Sequence, residues 1–311
     1  MDVQAEFLKA DRYLAAMEKA TKRELIRVYA RSSREVQAIL ADFARRYEKN
    51  GKLSYAEAAK YNRLVALESQ INTELRKLGI RATNITRRDL GDLFGESYYR
   101  TGYIIDTAGR QMGAATSWSL LNPRVIEAAI QMPISGLTLN ERLALRRSEI
   151  IWRVKQEITQ GLIRGEGYAP IARRLRQTFE GDAVKSLRVV QTEAHRVQNE
   201  GRWLAGDRGR EQGIEMQKKW RATLDDRTRD THATMDGQVV GMDDDFTSPS
   251  GATAPYPGAF GVAAEDINCR CGFLYVIEGL APTVRRVRGE GIVEYQTYSE
   301  WRDAKLPKAA D

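Results

Sequence analysis

Cysteine and histidine are scarce in this chain: two of each occur in 311 residues, Cys269, Cys271, His195 and His232. Two thiols one residue apart do not staple a fold. Their spacing strains a mutual disulfide, and a reducing compartment keeps such a pair as free thiols. No apolar run approaches the roughly 18 residues that a membrane-crossing helix needs. The first residues, Met1 to Phe7, offer neither a basic region nor an apolar core. No secretory signal is therefore expected, and the chain is expected to stay in the cytoplasm that makes it, with no membrane partner.

What is present fits a globular protein. The composition is 42% hydrophobic and 29% charged, and the length allows two domains of ordinary size. A net charge of +7 favours polyanionic partners without requiring them.

The first two thirds carry apolar residues at the helical period. Val36, Ile39, Leu40, Phe43 and Tyr47 form one stripe, stopped by Lys49-Asn50-Gly51. Ser54 and Glu57 form a capping box that predicts a second helix through Leu78, with Gly79 as its terminal glycine, and so a helical hairpin. Thr86 and Asp89 predict a further start, and Asn122-Pro123 reads as a cap followed by a first-turn proline. Leu143 to Leu162 predicts a long helix ended by Gly165. Ala169-Pro170 opens a shorter one ended by Gly181, and Asp182 caps the next.

Near Gly213 the period becomes two. Ile214, Met216, Lys218 and Trp220 share one face of an expected strand. Asp225 or Asp226 is expected to cap a short helix through His232. Gln238 to Val240 and Phe273 to Ile277 read as strands, and Ser248 to Gly261 as a proline- and glycine-rich loop. The expectation is an α+β protein: a helical part over residues 1–136, helices and then a small sheet over 137–279, and a polar tail over 280–311.

The unusual residues gather in the last third. Cys269, Cys271 and His232 are soft ligands suited to zinc, with His195, Asp230 or Asp236 as a fourth. Against this, Cys-x-Cys is a poorer chelate than the usual spacing, and two buried thiols beside a hydrogen-bonded histidine is the alternative. Arg227 and Arg229 around Thr228 suit a phosphate, or else pair with Asp225, Asp226 and Asp230 beside them. Glu193 and His195 point about 200° apart on a helix, so acid–base work by that pair is not expected. Glu193 is expected to hold the 225–230 segment through an arginine. Between Glu141 and Arg176 nine basic residues face four acidic ones. Arg146, Arg147, Arg173, Arg174 and Arg176 there make non-specific DNA contact one reading, and a solvated face or an acidic protein partner the other.

Taken in order, Thr192-Glu193, Trp220, Leu224-Asp225-Asp226-Arg227-Thr228-Arg229, His232, Asp236-Gly237-Gln238, Phe246, Tyr256-Pro257-Gly258 and Ile267-Asn268-Cys269-Arg270-Cys271 resemble the C-terminal domain of the phage Mu F-like minor head proteins. The specific motifs span about residues 165 to 276, and the helical first half resembles the siphophage members. Two positions depart from the pattern: Gln191 stands where members often have arginine, and Glu265-Asp266-Ile267 where a histidine often occurs. The resemblance makes Glu193, Trp220, Asp226, Arg227, Thr228, Arg229, Asp236, Gly237 and Asn268 motif residues. It implies a component of the virion in head morphogenesis, inside the capsid at the portal, assembled in the host cytoplasm. The implied partners are the portal protein, other capsid or scaffolding proteins and packaged DNA. It implies no catalytic cycle and no required cofactor, zinc remaining open. A metal-dependent hydrolase of the virion, acting on nucleic acid or cell wall and centred on His232, Cys269, Cys271 and Glu193, is the competing reading.

Overall fold

The apolar stripes make most of this chain helical, and the computed structural model is α+β, with long helices preceding a small sheet region. The structure describes residues 3–114, 116–277, 284–287 and 291–294.

Helix α1 (Val3–Tyr47) ends where Lys49-Asn50-Gly51 interrupts it, with Asn50 and Gly51 at φ of 51° and 73°. Ser54 caps α2 (Tyr55–Ala59), its hydroxyl accepting from the Glu57 amide at 3.2 Å, as the capping box predicts. That helix is short. A 3₁₀ turn follows at Lys60–Asn62, where Tyr61 and Asn62 take φ of 52° and 58°. Helix α3 (Arg63–Gln111) then runs 49 residues, straight through Gly79, Thr86 and Asp89.

The expected stop at Gly79 and restart at Thr86 are therefore corrected. A Cβ on Gly79 would lie 2.7 Å from Cδ of Arg147, so the glycine serves close packing inside the helix. Thr86 returns its hydroxyl to the Ala82 carbonyl at 2.7 Å, a bond made within the helix. The same correction applies further on. Helix α4 (Pro123–Gln131) has the expected Asn122 cap, and α5 (Leu139–Ile163) ends before Gly165 at φ 66°. Helix α6 (Tyr168–Glu211), however, passes through Gly181 and Asp182. Asp182 is buried and accepts from the Tyr29 hydroxyl at 3.0 Å instead of capping a helix. Interior glycine costs about 1 kcal/mol against alanine, an amount that tertiary packing outweighs.

The sheet elements follow the alternation closely. Strand β1 (Met216–Arg221) is central, with β2 (Val239–Gly241) and β5 (Gly272–Ile277) antiparallel on either side. Trp220 sits opposite Phe273, and Lys218 opposite both Val240 and Tyr275. Helix α7 (Asp230–Thr234), a β3–β4 pair (Phe246–Thr247 and Thr253–Ala254) and helix α8 (Ala263–Asp266) lie between β1 and β5 in sequence. Strands β6 (Val284–Val287) and β7 (Gly291–Glu294) pair with each other; the rest of the expected tail lies outside the described residues.

The chain forms two compact units, each built from separate stretches. One comprises residues 19–88 and 139–190, with a core that includes Leu40, Leu75, Val154 and Ile171. The other comprises residues 1–18, 89–138 and 191–311, with a core that includes Phe7, Ile105, Trp220 and Phe273. A linear division at residue 136 does not describe this arrangement. The apolar faces of α5 and of the first part of α6 are buried against α1 and α3, so segments on both sides of that boundary share one core. No helix among the described residues is long and apolar enough to cross a membrane.

Candidate functional site

The unit containing the sheet brings His232, Cys269 and Cys271 together. Their ligand atoms lie within 4.8 Å of one another, and all three residues are buried. His232 comes from the single turn of α7, and its Nδ1 lies 3.6 Å from Cys269 Sγ and 3.5 Å from Cys271 Sγ. The ring is held edge-on to Trp220, centroids 5.4 Å apart, and stacks on Phe260 at 6.0 Å. Its other nitrogen, Nε2, lies 2.8 Å from Glu265 Oε2, close in distance although not aligned as a hydrogen bond.

Glu265 is itself placed by several hydroxyls. Ser248 and Ser250 donate to its Oε1 at 2.9 and 2.6 Å, and Thr231 to Oε2 at 3.3 Å. Burial alone would raise the Glu265 carboxyl. The serine hydroxyls and His232 outweigh burial and hold it below the ordinary range. Burial likewise works against protonated His232, yet its bond to Cys271 and the charge there raise it. The contact between the sulfurs drives Cys269 up and Cys271 down, with His232 adding to the second effect.

The segment before the thiols is shaped by an unusual backbone. Asn268 takes φ 59°, and its amide donates to the Thr192 hydroxyl at 3.1 Å, while the Cys269 amide donates to the Asp266 carbonyl at 3.1 Å. Both thiols precede β5, which begins at Gly272, so they leave a turn and do not yet belong to the strand. Arg229 clamps this loop by donating to the carbonyls of Glu265, at 3.0 Å, and Ile267.

For Arg229 the sequence offers a phosphate or the neighbouring aspartates, and the structure gives it neither aspartate pairing nor a free guanidinium. The loop carbonyls take it because they leave α8 without helical partners. Asp225 pairs instead with Arg270, Nη2 to Oδ1 at 2.7 Å, and more loosely with Arg227 at 3.5 Å. It does not cap α7, whose N-cap position is Arg229. Asp226 is exposed. Thr228 donates to the Thr223 carbonyl, and Asp236 accepts from the Ala222 amide at 2.7 Å. Gly237 turns the chain at φ 85° and donates to the Trp220 carbonyl at 3.0 Å. These motif residues make a turn scaffold around Trp220.

Glu193 takes an arginine from its own helix. Arg196, one turn on, meets it at 2.9 Å, and both side chains are essentially inaccessible, at 1% and 0% exposure. Arg196 also reaches Glu200 at 2.8 Å and the Ala129 carbonyl at 2.6 Å. His195 lies 3.6 Å from Glu18, and neither Asp230 nor Asp236 belongs to the thiol cluster. The three candidates for a fourth metal ligand thus reduce to none among the described residues.

Sequence reasoning missed Asn199, whose amide donates to the carbonyls of Pro257 and Cys271, both at 3.1 Å. It also missed Asp11, brought to the sheet from the start of α1. Burial would raise its carboxyl, but Arg202 and Arg221 hold it far below the ordinary range. Neither carried a local signal, because their partners are distant in sequence. Glu265 had one: it stands in the loop just before the thiols.

A cavity of about 390 Å³ lies over the thiols, lined among others by Gln191, Thr223, Arg227, Thr228 and Asn268. Arg227, 62% exposed, marks its opening to solvent. The basic window between residues 141 and 176 lies in the other unit. There Arg146 pairs with Glu149 at 2.5 Å and Arg174 with Glu157 at 2.7 Å, whereas Arg147, Arg173 and Arg176 are exposed.

The family model described as "Phage Mu protein F like protein" matches residues 153–274, the stretch that carries α6, the sheet and both thiols. The minor head protein GP7 of Bacillus phage SPP1 is 34% identical over 300 residues, covering 95% of this chain and 96% of GP7. The chain belongs to the Mu F-like family of phage minor head proteins. A second relative, an NAD(+)–arginine ADP-ribosyltransferase, EFV, of Enterococcus faecalis, is 31% identical over 298 residues. That match covers 94% of this minor head protein but 60% of EFV. No solved structure matches the chain.

Proposed function

We propose that the protein is built into the phage head during morphogenesis, as a virion component seated inside the capsid against the portal, without catalytic turnover. The observation that carries this reading is the end-to-end match to a minor head protein, 96% of GP7. The match to the ADP-ribosyltransferase leaves 40% of that longer protein without a counterpart here, while nearly the same stretch constitutes GP7 almost entirely.

The hydrolase alternative needs Glu193 beside the thiol cluster. Glu193 is instead buried against Arg196, and the residues lining the cavity include no carboxylate to act as a general base. For portal docking, exposed apolar side chains at the break between α2 and α3 support a contact there: Tyr61 is 86% and Val65 65% exposed. Other capsid or scaffolding proteins would meet the remaining helical surface, and Arg147, Arg173 and Arg176 would meet packaged DNA without sequence preference.

The test is co-expression of the full chain with the portal protein of its own phage, followed by affinity capture. The complex is expected with the unaltered chain and is expected to weaken at least tenfold in a Tyr61→Glu, Val65→Glu variant, the scale of removing an interface anchor. Absence of the protein from purified heads, or NAD-dependent modification of arginine by the purified chain, would overturn the reading. A fragment of residues 1–136 is unsuitable, because it removes part of both cores.

A further inference from the structure

We infer that His232, Cys269 and Cys271 form a zinc site, completed by a water molecule that faces the cavity above the thiols. The geometry is specific. Zinc bonds of about 2.3 Å to sulfur and about 2.05 Å to nitrogen, at a tetrahedral angle, set sulfur and nitrogen roughly 3.5–3.6 Å apart. The two observed separations are 3.6 and 3.5 Å.

The convergence of both sulfurs on one nitrogen is the grouping that a shared cation requires. A neutral imidazole nitrogen has one lone pair, enough to accept from one thiol, yet both sulfurs converge on the same Nδ1. A cation on that lone pair holds both. The opposite nitrogen faces the Glu265 carboxylate at 2.8 Å, which favours the tautomer with hydrogen on Nε2 and leaves Nδ1 bare toward the sulfurs. A carboxylate behind a histidine ligand is the recurring outer partner of zinc sites. Ser248, Ser250 and Thr231 fix that carboxylate in turn.

The charges also close. Zinc uptake displaces one proton from each thiol to solvent, so a divalent cation meets two thiolates and a neutral imidazole. The Cys-x-Cys spacing, poor for two ligands on one regular strand, works here because Asn268 in the left-handed region turns the chain just before Cys269. With three protein ligands on a tetrahedral ion, the fourth position falls to the cavity, whose lining is polar and open to solvent at Arg227.

The experiment uses the full-length chain, purified without chelator after growth with zinc. Elemental analysis is expected to find about one zinc per chain, the stoichiometry of a single site. Cobalt loaded in its place is expected to show thiolate-to-metal charge-transfer absorption, with visible bands that shift on addition of azide. Cys269→Ser with Cys271→Ser is expected to abolish zinc binding. Glu265→Gln is expected to keep the fold by circular dichroism and to weaken zinc binding 10- to 100-fold. Should the double variant not fold, the cobalt spectrum of the unaltered chain and the Glu265→Gln affinity decide the matter. Folded protein without zinc, a cobalt spectrum without thiolate bands, or full zinc content in a folded double variant would overturn the site. Bands unmoved by azide would overturn the water-bearing position.

Discussion

Replacing Arg196 by methionine tests the electrostatic core of the sheet-containing unit. The methionine keeps most of the stem volume but leaves Glu193, at 0% exposure, with a buried charge whose arginine is gone. It also removes the donor to the Ala129 carbonyl and the partner of Glu200. Breaking one side of a buried pair costs about 3–5 kcal/mol, whereas replacing both sides with apolar groups is often neutral or stabilising. Arg196→Met is therefore expected to lower stability by about 3–5 kcal/mol, a large share of the 5–15 kcal/mol typical of a whole domain. Adding Glu193→Leu is expected to return at least half of that loss. Burial already pushes the Glu200 carboxyl above its ordinary range, against the lowering effect of Arg196. Urea denaturation followed by tryptophan fluorescence measures both variants, with Trp203 and Trp220 reporting from this unit. A single variant that costs less than about 1 kcal/mol, or a double variant no better than the single, would refute the idea that Glu193 depends on Arg196.

Other expectations follow from the same geometry. Arg270 holds the Asp225 carboxyl at about 2, below its ordinary 3.8, so this pair contributes stability above about pH 4 that disappears as pH falls through 2. Partial solvation limits it to roughly 1–2 kcal/mol; Arg270→Met should flatten acid titration of stability in that window, and an unchanged profile would remove the pair from the account. Gly258 lies at φ 92° with room for a Cβ only 3.3 Å from Arg196 Cα, so Gly258→Ala should cost about 1–3 kcal/mol by thermal denaturation. A neutral result would show that the Tyr-Pro-Gly turn can relax. For DNA, Arg173→Glu with Arg176→Glu should reduce the slope of log affinity against log salt by about 2, while Arg174 stays committed to Glu157 and Glu166. Binding with an unaltered slope would mean that these arginines touch no phosphate.

Much of this protein was legible in its residues because the governing interactions are local or periodic. The stripe from Val36 to Tyr47, the Asn122 cap and the alternation around Trp220 act over a few positions, and each produced the expected element, while the Ser54 cap started a helix that stops at Ala59 and not at Leu78. The order of motifs from Thr192 to Cys271 likewise identified the family without coordinates. The gathering of His232 with the two thiols was anticipated from residue chemistry alone.

Tertiary packing decided the rest. Gly79 and Gly181 read as helix ends because glycine is a weak helix former, yet both lie inside long helices, Gly79 packed closely against Arg147 and Gly181 on an exposed face. Arg229 left its adjacent aspartates for the carbonyls of the 265–267 loop, and Glu193 took Arg196, choices that depend on which groups burial leaves without water. The two units interleave along the chain because an apolar face is satisfied by whichever face lies opposite it, and sequence separation places no limit on that choice. Local order was therefore written in the chain, and the partners of its buried charges were settled only when the helices met.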